Sequence, residues 1–66
     1  MFTKEQEELV KTLPIFKNYH PVDCYNSIMK TNNWEVKELA QKFEIPYKNK
    51  RIVAKTIIDI ANQILN

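Results

Sequence analysis

The chain carries one thiol and one imidazole, Cys24 and His20, four residues apart. A Cys–His pair can activate a sulfur nucleophile when the two side chains meet and a third group orients the base. Pro21 stands between them, a residue suited to the first position of a helix, and no orienting group is evident. The spacing therefore predicts a buried structural cysteine and a loop histidine. One cysteine also excludes an intramolecular disulfide, and no Cys/His set is present to hold zinc. Glu5, Glu7, Glu8, Glu35 and Glu38 are dispersed on polar faces among lysines, with no sheltered pair for acid–base work. The expectation is a protein with no catalytic residues, no metal and no cofactor.

A second kind of chemistry is better supported. Lys48, Asn49, Lys50 and Arg51 fall in and just after an interruption between two helical patterns, and Lys55 follows one turn later. Free backbone N–H groups and the helix dipole make a helix start attractive to phosphate. Basic side chains there add strong contacts that do not read base sequence. Lysine in a first turn opposes the dipole, so its presence suggests that something other than local helix stability is wanted. Tyr47 adds an aromatic that could stack or pack in the same loop. The net charge is only +2, yet residues 46–66 carry +3, from Lys48, Lys50, Arg51 and Lys55 against Asp59. So few charges predict a weak, salt-sensitive interaction with nucleic acid. A solvated helix end in a lysine-rich protein is the plain alternative.

The elements that must position these residues are legible from pattern. Sixty-six residues make one domain, and an apolar fraction of 44% suffices for a compact core. Glycine is absent, which argues against β-hairpins and excludes glycine-rich phosphate loops. Turns must then rest on Pro14, Pro21 and Pro46, with Asn18, Asn32, Asn33 and Asn49. Thr3-Lys4-Glu5-Gln6 is a capping box opening a helix over about 3–13, which Pro14 ends. A loop rich in aromatics, Ile15 to His20, precedes a helix over about 21–31 with Val22, Tyr25, Ile28 and Met29 on one face. Val36, Leu39, Ala40 and Phe43 form the stripe of a third helix over about 35–44, with Trp34 just ahead of its cap and placed to staple against Leu39. The fourth, about 50–65, presents Val53, Ala54, Ile57, Ile58, Ile60, Ala61, Ile64 and Leu65 over an arc of about 160°, wider than a core-facing helix needs. That width makes it the central helix; a homodimer seam along it is the competing use. The fold expected is all-α, a compact four-helix single domain over 1–66 whose C-terminal half is helix–extended loop–helix.

Val36…Glu38-Leu39…Phe43-Glu44-Ile45-Pro46…Asn49-Lys50-Arg51…Ile57-Ile58 resembles the SAP-like helix–extended-loop–helix modules, including the N-terminal domain of the Rho terminator. The resemblance covers residues 34–65. It implies DNA or RNA backbone binding by the loop and second-helix start, at Lys48, Lys50, Arg51 and Lys55. Asn49 stands where those modules commonly have glycine, and Ala54 replaces a larger aliphatic. Glu38-Leu39-Ala40-x-x-Phe43-x-Ile45 also resembles the first helix of a helix-turn-helix, but that motif wants an apolar residue where Lys50 stands.

A protein-binding module is the rival class. Nine lysines against one arginine, eight isoleucines and seven asparagines suggest an AT-rich coding genome, such as that of a low-GC bacterium, phage or plasmid. A phage or mobile element could encode such a domain to bind and inhibit a host protein. Phe16, Tyr19, Trp34 and Tyr47 would be the candidate contacts, since aromatics dominate binding hot spots. Met1-Phe2-Thr3-Lys4 runs directly into charged sequence, and no apolar run is long enough for a signal peptide or membrane span. With an unpaired thiol, a cytoplasmic location is expected and no membrane partner.

Overall fold

The computed structural model describes residues 2–65. The two ends of the expected 1–66 domain, Met1 and Asn66, lie outside the described residues. The order is α1 (Lys4–Thr12), a 3-10 turn (Pro14–Phe16), α2 (Pro21–Lys30), α3 (Asn33–Lys42) and α4 (Lys50–Leu65). The protein is all-α.

Local chemistry accounts for each boundary. Thr3 Oγ1 accepts from the Gln6 N–H at 3.0 Å, and Gln6 Oε1 accepts from the Thr3 N–H at 3.1 Å, a complete capping box. Leu13, ahead of Pro14, is extended with ψ 135°, so α1 stops there. Pro21 occupies the first turn of α2. Asn32 Oδ1 caps α3 by accepting from the Glu35 N–H at 2.8 Å. Only Thr31 and Asn32 therefore separate α2 from α3.

That cap corrects the expected start of α3. Trp34 lies inside the first turn, not ahead of the cap, and two-thirds of it is exposed, so it cannot staple against Leu39. The helix also ends two residues early, because Glu44 takes a left-handed conformation at φ 58°. Its N–H donates to the Gln41 carbonyl and that of Ile45 to the Ala40 carbonyl, both at 3.0 Å. This is the Schellman closure, in which glycine is the usual residue at the left-handed position. Asn18, at φ 53°, is left-handed as well.

α4 is the centre: it packs against α1, α2 and α3. Val53, Ala54, Ile57, Ile60 and Ala61 are buried on it, facing Val10, Phe16, Cys24, Ile28, Val36, Ala40 and Phe43 in one cluster. On α2 the core positions are Cys24 and Ile28 rather than Val22, which is 71% exposed. Residues 24 and 28 stack one turn apart, and that register carries Val22 outward. Among the described residues no helix is long and apolar enough to cross a membrane.

Candidate nucleic-acid interface

Phe43 to Asn49 connect α3 to α4, and their course follows from two contacts. Lys37 Nζ lies 5.4 Å from the centre of the Tyr47 ring, so the loop runs back along α3 instead of away from it. Lys50 Nζ donates to the Met29 carbonyl at 3.2 Å, joining the first turn of α4 to the last turn of α2. Because α3 begins only two residues beyond α2, α3 and α4 start at the same end of the molecule.

Asn49 caps α4: its Oδ1 accepts from the Ile52 N–H at 2.9 Å, and its carbonyl from the Val53 N–H at 3.1 Å. No acidic residue occupies the first turn of that helix. Lys48, Arg51 and Lys55 are exposed around and beyond it, whereas Lys50 is half-buried. The five basic-corner residues are thus brought together, but their tasks divide. Asn49 shapes the helix start. Lys50 places its ammonium on a carbonyl in the last turn of α2, where helix carbonyls lack intrahelical donors and the dipole is negative. A lysine in the first turn of α4 therefore has a structural reason, which removes Lys50 from the argument that only a ligand explains it. Lys48, Arg51 and Lys55 remain as outward cations.

The four aromatic candidates separate as well. Phe16 is buried at 5% exposure and meets Phe43 edge-on with ring centres 6.2 Å apart, so it belongs to the core and not to a contact surface. Tyr19 is half-buried and turned inward, its hydroxyl donating to Asn62 Oδ1 at 2.8 Å. Burial, then the neighbouring Cys24 and Asp59, push its phenol above the ordinary 10.0. Tyr47 is half-buried beneath Lys37. Trp34 alone of the four is largely exposed.

Lys37 is the residue that sequence reading missed. Its place on the polar face of α3 marks it as solvated, and nothing local signals that a loop ten residues later returns beneath it.

The thiol and the imidazole sit in different surroundings. Cys24 is buried at 3% exposure and its thiol is pushed above the ordinary 9.0 by desolvation, opposite to the lowered pKa of a reactive cysteine. His20 is exposed ahead of α2 and its side chain makes no capping bond. Among the described residues no group of three or more His, Cys, Asp or Glu is placed to hold a metal ion.

In comparisons with protein-family models, curated proteins and solved structures, nothing matches this chain. The class defined by its own coordinates is a small all-α domain built around a C-terminal central helix.

Proposed function

We propose that this protein is a non-catalytic module that binds the phosphate backbone of DNA or RNA at the start of α4. The observation that carries this reading is the pair Lys48 and Arg51, both exposed beside a capped helix N-terminus that has no acid in its first turn. Helix dipole, the first-turn N–H groups not taken by the Asn49 cap and two cations all favour an anion there. Lys55, one turn along, extends the positive strip. Three phosphate contacts correspond to a slope of about −3 in log affinity against log salt, hence weak and strongly salt-sensitive binding.

A band-shift titration at low salt tests the proposal. The wild type should retard both duplex and single-stranded oligonucleotides, and a Lys48→Ala/Arg51→Ala variant should not. Equal behaviour of the two proteins would sink the idea. Lys50 is left intact in that variant because of its bond to Met29.

A second reading has one observation in its favour. Pro21, Val22, Tyr25 and Ile58 line an open apolar groove between α2 and α4, rimmed by Lys55 and Asp59. Such a groove suits a protein partner, either a second copy of the chain or a host protein inhibited by a phage-type product. A stoichiometric partner retained at high salt would favour it, because phosphate binding should collapse there. The reduced thiol of Cys24 fits a cytoplasmic setting for either reading.

A further inference from the structure

Tryptophan is usually largely buried, because its large ring gains much by leaving water. Trp34 is 67% exposed, and it occurs on the first turn of α3, at the same end of the molecule as the start of α4. Lys37 lies three positions along α3, so the two side chains are neighbours on the helix surface. Lys37 in turn sits over the Tyr47 ring, and Tyr47 is followed directly by Lys48. An exposed indole, a cation on an aromatic and the cations of the α4 start thus form one continuous surface across two helices and the returning loop.

We propose that this surface is a site for single-stranded nucleic acid, with an unpaired base stacking on Trp34 while Lys37, Lys48 and Arg51 hold the adjoining phosphates. The inference rests on the phosphate-binding reading and adds the ligand class to it. A single strand is selected because its bases offer open π-faces, whereas duplex bases are stacked on one another and present mainly phosphate to the protein. Stacking tolerates every base, so affinity should depend little on sequence. Lys37 is the addition that makes the surface continuous: without it, Trp34 and the α4 corner would be separate features.

Trp34 is the sole tryptophan, so its emission reports contact at this position directly. The experiment titrates the protein at low salt with a twelve-nucleotide oligothymidylate and with a duplex of equal length. Binding is followed in parallel by anisotropy of end-labelled oligonucleotides. The single strand should quench Trp34 emission to saturation and the duplex should not. Trp34→Ala should weaken single-strand binding about tenfold and leave duplex binding within about twofold, and Trp34→Phe should recover most of the loss. Unchanged emission at saturating oligothymidylate, or equal loss on both ligands, would overturn the stacking site while leaving backbone binding in place. Failure of both labelled ligands to bind at low salt would overturn both proposals together.

Discussion

Gln6 Nε2 donates to the carbonyl oxygen of Phe43 at 2.6 Å, across thirty-seven residues of sequence. The same side chain closes the capping box of α1 through its Oε1, so one buried amide serves two elements. The Phe43 carbonyl, at the end of α3, has no donor within its own helix and would be buried unsatisfied without Gln6. α1 is thereby fastened to the turn from which the basic loop departs.

Gln6→Ala should destabilise the fold by about 2 kcal/mol, combining a lost cap with a buried carbonyl left unsatisfied. Gln6→Glu keeps an acceptor for Thr3 but sets a carboxylate against the Phe43 oxygen. Its stability should therefore improve as pH falls and the carboxyl becomes a donor. Urea unfolding of the two variants at pH 7 and pH 4.5, each compared with wild type, separates these effects. A Gln6→Ala midpoint indistinguishable from wild type would show that the bond contributes nothing.

Glu44→Gly should stabilise the protein. A side chain at φ 58° costs about 1 kcal/mol that glycine does not, and this exceeds the added freedom of glycine in the unfolded chain. Glu44→Asn should give part of the gain. In a domain this small the melting temperature should rise by about 4–8 °C per kcal/mol, readable by circular dichroism.

Lys50 and its neighbours should part company in mutagenesis. Lys50→Met keeps the apolar stem and removes the donor to Met29, costing about 1 kcal/mol of stability. Lys48→Ala and Arg51→Ala should stay within about 0.5 kcal/mol of wild type while removing nucleic-acid retention. Chemical denaturation and band shifts on the same three variants check both halves. If Lys48→Ala and Arg51→Ala unfold the protein as readily as Lys50→Met, the division of tasks is mistaken.

Stability should decline on the alkaline side. Burial raises the Cys24 thiol above 9.0, and burial with nearby Cys24 and Asp59 raises the Tyr19 phenol above 10.0. Both groups hold their proton more tightly folded than unfolded. Their contribution is therefore complete below the unfolded pKa values and lost as pH rises through the folded ones. Urea midpoints should be level from pH 7 to about 8.5 and fall above it, with a shallower initial fall in Cys24→Ala. At pH 7 the native thiol should react with an aromatic disulfide reagent only as fast as the fold opens.

Several boundaries set by neighbours in sequence were legible. Thr3 with Gln6, Pro14 and Pro21 act within four residues, and the apolar stripe of α4 follows from helical period alone. Asn32, read as a turn residue, caps α3 instead, which puts Trp34 inside the helix and not ahead of it. Val22 and Cys24 point to different sides of α2, and packing against α4 decided for the side of Cys24. At the candidate site, the composition of the basic corner could be read directly. The employment of Lys50 by Met29 and the seating of Tyr47 under Lys37 could not, because they join segments 21 and 10 residues apart that no local rule connects.

The central position of α4 also bears on how the chain comes to be folded during synthesis. The other three helices bury their apolar faces chiefly against α4, which is translated after all of them. Each is nine or ten residues long, too short to persist alone in water. Until α4 is present, Val10, Cys24, Ile28 and Val36 lack the face they pack against in the fold. The sixteen residues of α4 are therefore what the packing requires before a core can close.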